Sequence, residues 1–390
     1  MNPSSAANKA NFVVATPGRS VCDDNARALY RNGLLRFIAL GTRRGIKGVP
    51  AEFTRLKPAV GLVAYAAAQM FSTRRAESLR FRLHPWFDRW VRRQLLPGNN
   101  IISSYGYVND CFHWAREHGG KTLLDGGNSH PENFWAILTE EHKLWNCREL
   151  PIARHHYERS RAMMADVDFV LSPSTWVSKS FLERGFKPEQ ILRNVYPIDI
   201  SCFTPPAVPR PKERPLTVIA PGSLSLRKGT PYLLEGFRIV LKTIPSARLV
   251  LNRSIFDNVA PIIEQNADLP IDWQPSLTHP QLAEKMRECD LLVLPSLEDG
   301  FARTVTEGLA CGLPVITTRS TGASDLIQPG QNGEIVPIRD PAAIADAILK
   351  WADMILSGAE RPQIGFDAAL LSFENFEREF LAQLKEKKLI

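Results

Sequence analysis

The chain reads as an α/β protein of two domains, each a parallel sheet covered by helices. Three observations predict this. At 390 residues the chain is too long for one ordinary hydrophobic core. Short apolar runs closed by Gly, Pro or Ser alternate with helix-period patterns along both halves, as strand-helix-strand units require. The proline-rich stretch PPAVPRPKERP, from Pro205 to Pro215, has the composition of a linker. Residues 1–204 are therefore expected as one domain, 205–215 as linker, 216–370 as a second domain, and 371–390 as a terminal helix, polar and helical in pattern from Phe373 to Lys387.

In chain order, MNPSSAANKANFVVATPG lacks the basic start and apolar core of a signal peptide and reaches its first apolar residues as a short strand. The turn Thr16-Pro17-Gly18 ends that strand. The longest apolar stretch, Ala59 to Phe71, is about half to two-thirds of a membrane span. Residues 1–100 hold 17 Lys and Arg against 5 Asp and Glu, a balance of +12 that leaves the remainder at −5. Within this basic region FSTRRAESLRFRLHPWFDRWVRRQLL, from Phe71 to Leu96, mixes seven arginines with Trp86, Phe87, Trp90 and Leu95. That composition suits an anionic lipid surface, or equally a core helix with solvated arginines. Nucleic acid is not expected, since no binding motif accompanies the charge. Six cysteines, at 22, 111, 147, 202, 289 and 311, form neither a CxxC pair nor a His-linked metal spacing, and read as free thiols in a reducing, cytoplasmic compartment.

The most informative stretch is LLVLPSLEDGFARTVTEGLACGLPVIT, Leu291 to Thr317. Leu291–Leu294 suits a strand buried on both faces, ended by Pro295 and Ser296. Gly300 admits close approach of a ligand, and Phe301, Ala302, Arg303 and Thr304 open a helix whose free N–H groups favour a diphosphate. Gly312 closes the helix before the next strand. Asp299 and Glu307 have seven residues between them across this loop and helix; as isolated acids they would be a turn residue and a solvated helix acid. Upstream, Leu216 to Ala220 is a second short strand, broken by Pro221 and Gly222, and Ser223-Leu-Ser-Leu-Arg227-Lys228-Gly leads into the helical pattern around Tyr232 to Leu241.

The acid spacing resembles the E-x7-E signature of retaining family 4 glycosyltransferases. There the first acid faces the donor sugar and the second accepts from the ribose hydroxyls, which map onto Asp299 and Glu307. Lys228 matches the family's diphosphate-neutralising lysine, with Ser223 where an arginine is frequent and Arg227 as a substitute cation. Residues 159–205 are similar to the end of the family's acceptor domain, whereas 1–130 match loosely. The resemblance implies a GT-B fold, two Rossmann-like domains facing across a cleft, with the last helix crossing back to the first domain. It implies that Gly18 approaches the donor diphosphate and that His130, in DGGNSHPENFW after the strand Thr122 to Leu124, faces the cleft beside the reacting sugar. A loop histidine before Pro131 reads equally well as structural.

The remaining candidates carry less. Asp166-Val-Asp168 matches a metal-holding DxD string but falls where a helix enters the strand Phe169 to Leu171, and is read as a chance match. His155-His156 lacks a third ligand and is read as solvated. No metal and no cofactor are expected beyond the donor.

The expected activity is retaining, metal-independent transfer from a nucleoside-diphosphate sugar to a hydroxyl of a glycan, lipid-linked glycan or other acceptor, in cell-surface polysaccharide or glycolipid synthesis. Lys228, Asp299 and His130 are the expected catalytic groups. Gly18, Gly222, Ser223, Arg227, Gly300 to Thr304 and Glu307 are expected to hold the donor. A nucleotide-sugar epimerase on the same architecture and a non-catalytic nucleotide-sugar-binding subunit are the alternatives.

Overall fold

The computed structural model describes all residues except 1–9, 19, 71–72, 149, 200, 208–213, 257, 358–363 and 365. The centre of the expected linker, and Phe71 and Ser72 of the basic run, lie outside the described residues.

Two parallel sheets organise the molecule. The first contains β1 (Phe12–Thr16), β2 (Leu35–Leu40), β3 (Thr54–Leu56), β4 (Asn100–Ser103), β5 (Thr122–Asp125), β6 (Phe169–Ser172) and β7 (Ile191–Arg193), in the order 3-2-1-4-5-6-7. The second contains β8 (Thr217–Ala220), β9 (Arg248–Asn252), β10 (Ile271–Gln274), β11 (Leu291–Leu294), β12 (Val315–Thr318) and β13 (Gly333–Val336), in the order 10-9-8-11-12-13. Every residue of β1 and β11 is buried, as their unbroken apolar runs require of strands covered on both faces. Side chains of β11 alternate between two cores: Leu291 and Val293 pack with Phe237, Ile348 and Trp351, while Leu292 and Leu294 pack with Met286, Val305 and Leu309.

Strand order reverses at β1 in the first sheet and at β8 in the second. Such a reversal splays the flanking loops apart and leaves a crevice beyond the carboxyl ends of the central strands. In the second sheet that crevice lies between the loops after β8 and β11, so topology alone brings the Lys228 loop to the Asp299 loop.

The terminal helix Phe373–Glu386 packs on the first domain, with Phe376, Phe380 and Leu384 in one core with Ala26, Leu29 and Leu35. Other contacts hold the two sheets face to face. Glu141 of helix Pro131–Leu144 accepts from Tyr232 Oη at 2.8 Å and pairs with Arg339 Nε at 2.7 Å. Asp325 accepts from the Thr175 backbone at 2.8 Å and from Arg193 at 2.5 Å.

Several sequence expectations change here. The basic run divides into the helices Thr73–Arg82 and His84–Arg92. Phe87 and Leu95 are buried in the core and Trp90 partly so, whereas Trp86 is exposed. His156 is buried rather than solvated, its ring stacked on Phe81 at 3.7 Å. Asp168 accepts from the Thr122 backbone and hydroxyl at 3.0 and 3.1 Å, tying β6 to β5, so the Asp166-Val-Asp168 string is structural. All six cysteines are free thiols. Among the described residues no helix is long and apolar enough to cross a membrane.

Gly229 joins this architecture to the crevice. It follows the turn Leu226–Lys228 with φ +69°, and a Cβ there would collide with the Pro295 carbonyl beyond β11. Replacement by alanine combines left-handed strain with that clash, so Gly229→Ala is expected to destabilise the fold by about 2 kcal/mol or more. Urea unfolding of the purified variant measures this, with Gly330→Ala, which has φ +77° and open space, as the strain-only control.

Candidate functional site

Beyond β8, Ser225 caps the turn Leu226–Lys228 through its Oγ and presents Arg227 and Lys228 towards the second loop. The Lys228 ammonium pairs with Asp299 Oδ2. Arg227 donates to the Glu298 carbonyl at 2.8 Å, while Leu297 N–H donates back to the Arg227 carbonyl at 2.9 Å. The two loops therefore close on each other through backbone as well as charge.

Asp299 is the hub of this cluster. Its Oδ1 accepts from the Ala302 N–H at 3.0 Å, its own N–H donates to the Ser320 carbonyl at 2.9 Å, and its carbonyl accepts from Gly322 at 2.8 Å. Burial pushes its carboxyl up, but Lys228 and Arg227 outweigh burial and hold it below the usual range. Burial lowers Lys228, with Asp299 opposing. An ammonium that gives one proton to Asp299 has two further donors with which to reach a ligand.

The Ala302 contact corrects one expectation. Its N–H is capped by Asp299, so of the groups expected to face a diphosphate only those of Arg303 and Thr304, at the start of helix Arg303–Ala310, stay available at this end. Ala302 itself sits at φ +52°, a left-handed conformation of the kind kept where a loop must hold a particular shape.

Other expected donor residues divide between cluster, core and interface. Phe301 is buried and packs edge-on to Tyr196, with ring centroids 5.8 Å apart, so its side chain builds core rather than site. Gly300 lies against the other domain: a Cβ would collide with the Gly127 carbonyl. The Arg303 guanidinium turns to Asp24 of the first domain at 3.0 Å, beside the Tyr196 ring, instead of towards Lys228. Ser223 is held by Ser254 Oγ at 3.2 Å, and the Gly222 N–H donates to Asn252 at 3.3 Å, which keeps both on the β9 side. Gly18 is half-buried after β1, with its carbonyl accepting from Thr16 Oγ1 at 2.8 Å and open space where a side chain would be.

Glu307 occupies a separate compartment. One turn into the same helix, it lines a cavity of about 600 Å³ with Arg303, His279, Asp24, Arg27 and Asp199. Burial raises its carboxyl above the usual value, with His279 and Arg303 pulling it partly back. His279 and Asp24 escaped the sequence reading, because nothing in their local patterns distinguishes a helix-start histidine or a first-turn aspartate from an ordinary cap.

His130 takes the structural one of its two expected places. Its backbone sits at the N-cap of helix Pro131–Leu144, and its Nδ1 accepts from the Glu132 N–H at 3.3 Å. The ring lies edge-on to Phe181 and Phe186, at 5.1 and 6.2 Å, and burial lowers its pKa to about 4. Its neighbours Asn128 and Ser129 face the cleft in its place. They line a cavity of about 260 Å³ with Tyr105, Phe134, Tyr157 and Arg227.

A further carboxylate crosses the cleft. Glu298, fully buried, accepts from the Ser129 N–H at 2.9 Å, and Arg227 lies 3.6 Å from its other oxygen. Among the described residues no group of His, Cys, Asp and Glu is arranged to hold a metal ion.

Comparison with known proteins bears on the fold and on the second domain. Residues 215–353 match the family model described as glycosyl transferases group 1. A D-inositol 3-phosphate glycosyltransferase of Paenarthrobacter aurescens is 29% identical over 167 residues, 39% of this chain and 40% of its own length. An uncharacterized glycosyltransferase of Methanocaldococcus jannaschii is 26% identical over 129 residues, 33% of this chain and 36% of its own. The chain thus spans about two fifths of the length of these curated relatives. Among solved structures, sucrose-phosphate synthase from Thermosynechococcus elongatus superposes with a TM-score of 0.68 at 17% identity, covering 97% of this chain and 98% of that one. The Anabaena protein HepE, solved in complex with UDP and glucose, gives 0.59 at 14% identity over 96% and 99%. Residues 215–353 are thus similar to the glycosyl transferases group 1 family, and the two facing parallel sheets share the GT-B fold of these solved structures.

Proposed function

We propose that this protein transfers a sugar, with retention, from a nucleoside diphosphate to a hydroxyl of a glycan or lipid-linked acceptor. The observation that carries the reading is the Arg227-Lys228-Asp299 cluster, which stands at the strand-order reversal of the second sheet beside an open helix N-terminus. Cations and N–H groups there meet the charge that grows on a departing diphosphate. A nucleoside-diphosphate donor is supported by the solved neighbour that holds UDP and glucose.

In this reading Lys228 and Arg227 neutralise the diphosphate, Asp299 contacts the sugar, and Glu307 accepts from the ribose hydroxyls in its cavity. The bond from the anomeric carbon to the diphosphate oxygen breaks, and the acceptor oxygen bonds to the same face of that carbon. The acceptor proton passes to the departing phosphate. Glu298 on Ser129 and Gly300 against Gly127 bring the two domains together over the reacting centre, which excludes competing water. The cavity from Arg227 to Tyr105, Phe134 and Tyr157 gives an acceptor sugar aromatic walls on the opposite side.

Lys228→Ala is expected to lower turnover at saturating donor by roughly 10² to 10³, with Lys228→Arg recovering part and Arg227→Ala costing less. Nucleotide release from a panel of UDP-, GDP-, ADP- and TDP-sugars measures it. Unchanged rates in both single variants and the double variant would remove the cluster from the active site.

Glu307→Ala should weaken donor binding far more than the exposed-acid control Glu264→Ala, at roughly 1.5–3 kcal/mol per lost charged hydrogen bond. Because burial raises the Glu307 carboxyl above 4.5, wild-type donor affinity should fall as pH drops through a midpoint above that value. The carboxylate that accepts from the hydroxyls is lost there, so Glu307→Gln should flatten this limb. Calorimetric titration against pH tests both, and an acid limb that survives in the Gln variant assigns it to another group.

A further inference from the structure

The helix Pro58–Met70, PAVGLVAYAAAQM, has no charged residue in 13, yet it lies on the surface. Gly61 seats it, donating to the Gly41 carbonyl at 2.7 Å, and Val60 and Ala67 turn inward. Leu62, Val63, Tyr65 and Met70 face out, 40%, 40%, 68% and 73% exposed. A helix apolar on all sides belongs in a core or against a nonaqueous partner.

The surroundings specify that partner. Arg43 and Arg44, both exposed, share with Leu62 and Tyr65 the walls of an apolar cavity of about 430 Å³. Arg55 stands exposed just before the helix, and the Lys57 ammonium lies 4.6 Å over the half-exposed Trp86 ring. Arg75, Arg80 and Arg82 are exposed on the next helix, which packs against this one. An apolar helix with basic residues and a tryptophan along its rim has the make-up of an interfacial helix lying in the headgroup layer. A second copy of the same face would set one basic rim against another, which like-charge repulsion opposes.

We propose that helix Pro58–Met70 and its arginine rim dock this protein on an anionic lipid bilayer. Docking there also has a consequence for the acceptor. Glu77, Arg80 and Phe81 of the adjoining helix line the cavity that ends at Arg227, so a lipid-linked acceptor held at the docked face has its headgroup on the path to the cluster. That step rests on the proposed transferase reading. The docking does not, and its test uses no sugar nucleotide.

The test is co-sedimentation of the full chain with vesicles of phosphatidylglycerol and phosphatidylcholine, and with phosphatidylcholine alone, at low and raised salt. Wild type is expected to pellet with the anionic vesicles and to dissociate as salt rises. Leu62→Glu/Tyr65→Glu/Met70→Glu and Arg43→Gln/Arg44→Gln/Arg55→Gln should each reduce partitioning roughly tenfold. Leu356→Glu, exposed at the end of helix Pro341–Leu356, should not. The substituted side chains are exposed, and thermal unfolding checks that each variant keeps its fold. Failure of wild type to pellet, equal binding to neutral vesicles, or unaltered binding by the apolar triple variant overturns the proposal. So does a dimer in light scattering that the apolar triple variant dissociates without any vesicle binding, which would give the face to a second copy.

Discussion

The Asp299 carboxylate is the point on which the second domain's crevice depends. One oxygen takes the Lys228 ammonium from the loop after β8, and the other takes the Ala302 N–H at the head of the following helix. Its backbone is fixed on both sides by Ser320 and Gly322 from the loop after β12. A single buried residue, through side chain and backbone together, therefore holds three loops in one geometry. The arrangement is affordable in a dry environment only because carboxylate and ammonium neutralise each other, since either one alone would carry the full desolvation cost.

Around that hub, charge is distributed in two compartments. Lys228, Arg227 and Glu298 occupy the side that faces the Gly127 to Ser129 loop of the first domain, while Glu307 and Arg303 open towards Asp24, Arg27 and Asp199. Between Glu298 and Arg303 in the same loop, Phe301 is anchored in the core against Tyr196.

Closure between the domains is built from buried contacts of several kinds. The Glu298 carboxylate meets a backbone N–H, Gly300 meets the Gly127 backbone with no room for a side chain, and Glu141 binds both Tyr232 and Arg339. The terminal helix adds a covalent return: Phe376, Phe380 and Leu384 are part of the first domain's core although they follow the second domain in sequence. The contacts between the domains are thus set by parts of the chain hundreds of residues apart.

How much of this was legible in sequence follows from the range of each interaction. The strand-loop-helix-strand unit at Leu291–Thr317, the Lys228 loop and the spacing of Asp299 and Glu307 were readable because parallel strands are continuous apolar runs and turns carry Gly and Pro. These are local properties of the chain. His130 stayed open in sequence because the same Ser-His-Pro pattern suits a cleft residue and a helix cap, and only packing on Phe181 and Phe186 distinguishes them. Arg303 was assigned to the donor because it opens a helix, but its side chain is long enough to choose Asp24 across the domain boundary. The basic run was legible as charge, yet which of its aromatics were free depended on burial, and the exposed apolar face fell on the preceding helix. Periodicity and breakers by themselves determined the two parallel α/β sheets, and a family resemblance singled out the residues at the crevice. Tertiary structure alone decided which side chains meet across it, because those contacts depend on the relative placement of two separately formed sheets.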